Sequence, residues 1–311
     1  MSLQNPQISY LRPMNPPILC IGAALLDEVY FSQSSMLLET SNPANGSISV
    51  GGVMTNVARH LTALEIPMQL ITALGTDAAG QEIHSQLEAT GIDLTHVLSS
   101  DKSTGKYIAF HHPNGQLFTA ICQDEITALI TPDFLKTKMD ILNQAFCIVA
   151  DTNLAVETLQ WLSTQAALYH WQLVIEPVSV LKAVKLKEVN LNPVALLTPN
   201  EEELEALGGL DSLFQRGVQA VWVRKGSAGS SLYTTSEQVD LDVPTIQMVD
   251  STGAGDAALA GWLYAQYHHK NSQECLEYGH ALALHILHQK GAVDSQLRPQ
   301  QLELQKENYY P

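Results

Sequence analysis

The chain has 311 residues, 45% of them hydrophobic and 15% charged, and its 32 Asp and Glu outweigh 16 Lys and Arg to give a formal net charge of −16. That length carries enough core for one large α/β domain or two smaller ones. A broad nucleic-acid-binding face is excluded, because polyanion binding needs clustered cations, and no uncharged apolar run is long enough to span a membrane.

A small anionic substrate stays allowed, since backbone amides and one or two basic groups suffice to hold a phosphate. The N-terminal stretch MSLQNPQISYLRPMNPPILCIG has no basic region leading into an apolar core and a small-residue cleavage site. No secretory leader is therefore expected, and the first dozen residues read as a loose tail. Cys20, Cys122, Cys147 and Cys275 lie far apart in apolar contexts, which suits buried thiols in a reducing compartment better than disulfides or a metal site. The expected location is the cytoplasm.

Along the chain, short β-rich runs alternate with helical patterns: ILCIGAAL then MTNVARHLTAL, MQLITAL then GQEIHSQLEAT, FCIVAD then AVETLQWLSTQAAL, QLVIEP, VALLTP then NEEELEAL, VQAVWVRKG, and a final GAGDAALAGWLYAQY. This alternation predicts a mostly parallel sheet covered on both faces, with ligands beyond the carboxyl ends of its strands. Two segments, 28–52 and 104–125, break the rhythm, and the second places PNG between two strand-like runs as a hairpin would. They are expected to form a small β lid over the ligand end of one domain spanning 1–311.

The motifs follow in the same order. Asp27 comes after the first strand, and Gly51, Gly52 and Asn56 stand in GGVMTNVARHLTAL. Glycines let a sugar ring lie against backbone, and an amide side chain both donates to and accepts from vicinal hydroxyls. Asn200 and Glu203 in TPNEEELEAL sit one helical turn apart. They suit a hydrated magnesium ion and equally a capping box. Lys225, Gly226 and Gly229 lie in VRKGSAGSSLY, a strand-turn-strand pattern.

Near the end, Gly253, Ala254 and Gly255 lead into Asp256 in DSTGAGDAALAGWL. Free amides at the start of a helix make an anion hole, and a carboxylate beside it can take a proton from an attacking hydroxyl. His285 and His288 lie three apart on a helix, more as surface residues than as a metal pair. No G-x-x-x-x-G-K-[ST] sequence occurs, which argues against a P-loop.

From Ile18 to the last helix these stretches, ALGTDAAGQEI included, resemble the ribokinase-like carbohydrate kinases, also called the PfkB family. The resemblance implies a three-layer α/β/α fold with a mostly parallel sheet and a small β lid, and an ATP-dependent phosphotransferase acting on an alcohol. It implies ATP and Mg2+ as cofactors, a small-molecule sugar or nucleoside as partner, and a homodimer formed through the lid. Asp256 would be the catalytic base and Gly253, Ala254 and Gly255 the anion hole. Asp27, Gly51, Gly52 and Asn56 would bind the sugar. Asn200, Lys225, Gly226, Gly229 and Thr252 would bind nucleotide, with Asn200 and Glu203 holding magnesium through water. Asp250 and Thr252 match positions where some relatives bind a monovalent cation.

Within the family, the stretches around Tyr107 and Asp124, around Asp151 and Asn153, and around Pro177, Ser179, Lys182 and Lys185 resemble the pseudouridine kinases. That implies the ribose 5′-hydroxyl of pseudouridine as acceptor, with Asp124 in the substrate site. Lys182 and Lys185 either approach the phosphates or are solvated surface. Glu176 stands where Asp is usual and Glu65 where the first helix often ends in Gly; neither is expected to touch the chemistry. Two other readings stay open, a kinase of the same fold for ribose, a sugar phosphate or an adenosine-like nucleoside, and a non-catalytic sugar-binding regulator. The presence of Asp256 and its glycines argues against the regulator.

Overall fold

A computed structural model describes residues 13–311; the tail expected over the first dozen residues lies outside them. Its fourteen strands run in chain order β1 (Ile18–Ile21), β2 (Leu25–Ser32), β3 (Ala44–Gly51), β4 (Met68–Ile71), β5 (Ala73–Gly75), β6 (Leu98–Ser100), β7 (Gly105–His111), β8 (Leu117–Gln123), β9 (Cys147–Asp151), β10 (Leu173–Glu176), β11 (Leu196–Leu197), β12 (Ala220–Arg224), β13 (Ser230–Thr234) and β14 (Gln238–Leu241). The α-helices among the described residues are α1 (Val53–Ala63), α2 (Ala78–Ala89), α3 (Pro132–Lys136), α4 (Met139–Gln144), α5 (Val156–Tyr169), α6 (Val180–Ala183), α7 (Glu201–Ala206), α8 (Gly209–Gln215), α9 (Ala254–Tyr267), α10 (Ser272–Leu287) and α11 (Pro299–Tyr309).

The main sheet has eight strands in the order β14-β13-β12-β11-β10-β9-β1-β4, parallel from β12 to β4 and antiparallel at the β12–β13–β14 edge. Its middle strands read as unbroken apolar runs because both faces are covered. In β1, Ile18 and Cys20 pack in the core beneath α1, α2, α9 and α10, while Leu19 and Ile21 pack in the core beneath α3, α4 and α5. The period-two pleat of one buried strand thus feeds both cores. Asp151, Glu176 and Arg224 occupy the last positions of β9, β10 and β12, and Asn200 follows β11. Four polar residues therefore gather at one end of an apolar sheet.

β2, β3, β7 and β8 form a second sheet in the order β3-β2-β7-β8. β2 branches directly from β1, and β3 leads into α1 through Gly51 and Gly52. β7 and β8 are the hairpin foreseen at PNG, closed by His112 N donating to Gln116 O at 2.8 Å. One reading of the cysteines is corrected here: Cys122, on the face of this sheet that carries Tyr107 and Asp27, is exposed, while Cys20, Cys147 and Cys275 are buried. The histidine pair also needs revision. His285 Nε2 lies 2.9 Å from Asp294 Oδ2 in a half-buried pair, and only His288 is exposed. No group of three or more metal-binding side chains occurs among the described residues.

Glu65 explains its own oddity. α1 ends with Ile66 N donating to Leu61 O and Glu65 N to Thr62 O, the paired bonds of a left-handed helix terminus, and Glu65 carries a φ of 58°. A β-carbon is disfavoured there and glycine is not. Glu65→Gly should therefore stabilise the protein by about 0.5–1 kcal/mol, the left-handed strain relieved less the entropy glycine adds to the unfolded chain. Thermal denaturation checks this, with an unchanged or lower Tm as the contrary result.

Candidate active site

α9 begins at the open end of the sheet. Gly253 caps it with a φ of 75°, and a Cβ there would come within 2.4 Å of Ala292. Ala254 N makes a long 3.4 Å bond back to Ser251 O. The amides left for an anion are those of Gly253, Gly255 and Asp256, with that of Ala254, expected among them, turned back into the loop.

Asp256 faces α1 from across 200 residues of chain, and Asn56 Nδ2 donates to its Oδ2 at 2.8 Å. Burial pushes the Asp256 carboxyl up to about 7; the Asn56 bond and Arg224 work against that rise, and Glu176 and Asp151 add to it. A carboxyl poised near neutrality can take up a proton during a reaction and release it afterwards.

The acceptor side lies under the four-stranded sheet. Asn56 N donates to Gly52 O at 2.8 Å, and Gly52 itself has a φ of 97° against the carbonyl of Ala23. A Cβ on Gly51 would meet Asp27 Oδ2 at 2.0 Å, so only glycine admits the Asp27 carboxylate. Burial pushes Asp27 up to about 7. Its Oδ1 and the Oδ1 of Asn56 are buried without a hydrogen-bond donor.

Further out, Asp124 Oδ1 accepts from Thr127 at 2.6 Å, and Asp151 accepts from the amides of Ala23 and Asn153. Lys182 donates to Asn153 Oδ1, and Lys185 Nζ donates to the carbonyls of Thr152 and Leu154 at 3.0 and 3.2 Å. The two lysines therefore belong to the acceptor-side cluster and do not line the neighbouring cavity.

That cavity, of about 700 Å³, runs from Asp256 and Gly255 past Asn200, Glu203, Gly226 and Gly229 to an apolar end formed by Val243, Pro244, Ile246, Ala283, Leu284 and Leu287. Asn200 and Glu203 form a capping box: Asn200 N donates to Glu203 Oε2 at 2.9 Å, and Glu203 N donates to Asn200 Oδ1 at 2.8 Å. Glu203 Oε1 keeps its lone pairs, and burial pushes the carboxyl above its ordinary value.

Two expected nucleotide residues are not among the lining. Lys225 turns to Ser231 Oγ at 2.5 Å, and exposed Thr252 gives its hydroxyl to Asp250 Oδ1 at 2.7 Å. Asp250 Oδ2 accepts from Gly291 N, so the Asp250 carboxylate is already engaged within the fold. The residues the sequence reading missed are Arg224 and Glu176. They line the cavity as an ion pair at 2.7 Å, and Arg224 Nη1 donates to Gly255 O at 3.1 Å. Glu176 thus lines the same cavity as Asp256. Strand alternation held the signal, because Arg224 shares a face of β12 with Trp222, which packs in the core beneath α9 and α10.

Comparison with known proteins agrees with this geometry. The pattern of the pfkB family carbohydrate kinases matches residues 15–298. A pseudouridine kinase of Escherichia coli is 29% identical over 78% of this chain and 82% of its own length, and a ribokinase of Arabidopsis thaliana is 27% identical over 90% and 78%. The fold is that of solved ribokinases: the Arabidopsis structure complexed with ribose and ATP superposes with a TM-score of 0.79 at 23% identity, covering 94% of this chain and 99% of that one. With the match spanning nearly every element described above, the chain belongs to the pfkB family of carbohydrate kinases, phosphotransferases that use ATP and act on a hydroxyl acceptor.

Proposed function

We propose that the protein phosphorylates the ribose 5′-hydroxyl of pseudouridine. The observation that carries the site is the pair of buried acceptors without donors, Asp27 Oδ1 and Asn56 Oδ1, on the acceptor side with Asp256. Each such atom costs about 1–3 kcal/mol when left unmade, and sugar hydroxyls are donors that would remove the cost. Asp256, held by Asn56, accepts the proton of the attacking hydroxyl, and the amides of Gly253, Gly255 and Asp256 stabilise charge on the moving phosphoryl group.

The cavity beyond Asp256 suits the nucleotide, its apolar end taking a flat base and the Gly226–Gly229 turn lying nearer the phosphates. Asn200 and Glu203 fit a hydrated magnesium ion, with Glu203 Oε1 as the free carboxylate oxygen. When bound, the ion neutralises phosphate charge. A monovalent cation would need Asp250 to exchange the bonds it now makes to Thr252 and Gly291.

The four-stranded sheet, carried by segments 28–52 and 104–125, is the lid that excludes water from this site. Its opposite face exposes Ile48 and Ile121 at cross-strand positions linked through Glu28 and Ile108. A second copy of the chain would cover this stripe. Light scattering should give a dimer, converted to monomer by Ile48→Glu with Ile121→Glu.

The substrate assignment rests on the relative named pseudouridine kinase and on the cluster around Asp124, Asn153 and Lys182. Pseudouridine carries a ring N–H that uridine lacks, and Asp124 keeps one carboxylate oxygen beyond its bond to Thr127. An unmet acceptor there discriminates by roughly 5- to 150-fold. Measuring kcat/KM with ATP and magnesium for pseudouridine, uridine, ribose, sugar phosphates and adenosine tests this. Equal or better use of ribose or a sugar phosphate overturns the substrate assignment and leaves the family intact.

A further inference from the structure

Arg224 binds three partners at once. Nη2 donates to both Glu176 oxygens at 2.7 and 2.9 Å and to Thr198 O at 2.5 Å, and Nη1 donates to Gly255 O at 3.1 Å. Thr198 Oγ1 donates to Glu176 Oε2 at 2.5 Å, and Val178 N donates to Glu176 Oε1 at 3.2 Å. A planar guanidinium has a rigid fork of donors, so three anchored contacts fix its place. The contact to Gly255 is the telling one. It reaches the first turn of α9, whose amides and Asp256 are the proposed machinery, and a Cβ on Gly255 would come within 2.9 Å of Nη1.

We propose that the Arg224–Glu176 pair is a positioning device that fixes the start of α9, and with it Asp256, against the carboxyl ends of β10 and β12. This rests on Asp256 being the base. The charged and titratable groups facing Asp256 are Asp151 from β9, Glu176 from β10 and Arg224 from β12, with Asn56 donating from α1 and Glu203 of α7 acting on Arg224. Glu176 favours the protonated Asp256 and Arg224 the ionised one, so the pair leaves the base near neutrality while holding it still.

The test replaces both partners, Arg224→Met with Glu176→Met, because apolar side chains of similar volume commonly keep a fold that a single unpaired charge would break. The second variant is Glu176→Gln alone. Thermal melts, acceptor KM and kcat against pH are measured with ATP, magnesium and pseudouridine, or the best acceptor of the screen. The double variant should stay folded, hold acceptor KM within about twofold and lose about 10- to 100-fold in kcat, as displaced catalytic groups do. Glu176→Gln should move the acid limb of kcat to lower pH. A pair that is only structural would change the melt and leave kcat and the limb in place, which overturns the proposal. If Asp256→Asn is inactive while the double variant keeps full kcat, only the positioning role fails; if Asp256→Asn stays active, the base assignment fails with it.

Discussion

Asp256→Asn is expected to lower kcat by about two to four orders of magnitude, the usual reach of a general base, while the protein becomes more stable above neutral pH. An amide cannot take the hydroxyl proton, yet its oxygen can still accept from Asn56 Nδ2, so the geometry survives. The stability sign follows from the carboxyl being pushed from 3.8 up to about 7 by burial. A group bound more tightly to its proton in the folded state favours folding below its unfolded value, and that contribution is lost as pH rises through about 7. At pH 8 the wild type carries the full cost of that ionised carboxylate, at most about 4 kcal/mol and less where solvent reaches it. The variant carries none. The melts of the two proteins should therefore draw apart as pH rises from about 4 to about 7, with a larger gap at pH 8 than at pH 5, and kcat of the wild type should fall below about pH 7. Near-full turnover in the variant at saturating substrate would reduce Asp256 to a helix-terminal acid.

Gly253→Ala should be almost as damaging, by a different route. Its φ of 75° already disfavours a side chain, and the new Cβ would lie 2.4 Å from Ala292 Cβ and 2.6 Å from its Cα. The strain costs about 1–2 kcal/mol, and the overlap about 1–3 kcal/mol more unless backbone moves. Movement of the α9 start displaces the donor amides, and a shift near 1 Å costs about 100-fold in rate. Gly91→Ala is the matched control. It has a φ of 82° with nothing within 4 Å of the added carbon, so it shares the dihedral penalty without the collision. Equal activity in the two variants would show that the glycine serves only the turn.

What was legible in the sequence was local. β1 and β9 announce themselves as short apolar runs, and the turn at Gly253 is written in seven consecutive residues. The two segments of the four-stranded sheet declare themselves by lacking a helical period. The juxtapositions were not legible, since Asn56 meets Asp256 across 200 residues and Glu176 meets Arg224 across 48. In VRKG the two cations look interchangeable, and only the strand pleat sends Arg224 to α9 and Lys225 to Ser231. Cys122 misled because apolar neighbours normally signal burial, whereas it shares a row and a face of the four-stranded sheet with Tyr107 and Asp27, on the side of the open cleft.

The position of β1 between β4 and β9 has a consequence for the growing chain. Ile18 pairs with Met68 on one side and with Cys147 on the other, so the second edge of this strand waits for about 130 more residues to be made. At roughly 5–20 residues per second that wait lasts about 6 to 26 s. During it, an apolar strand with unpaired backbone groups is open to other nascent chains. The same placement that pairs β1 on both edges in the finished enzyme leaves one of those edges unpaired during synthesis, and a holdase chaperone would find its target there.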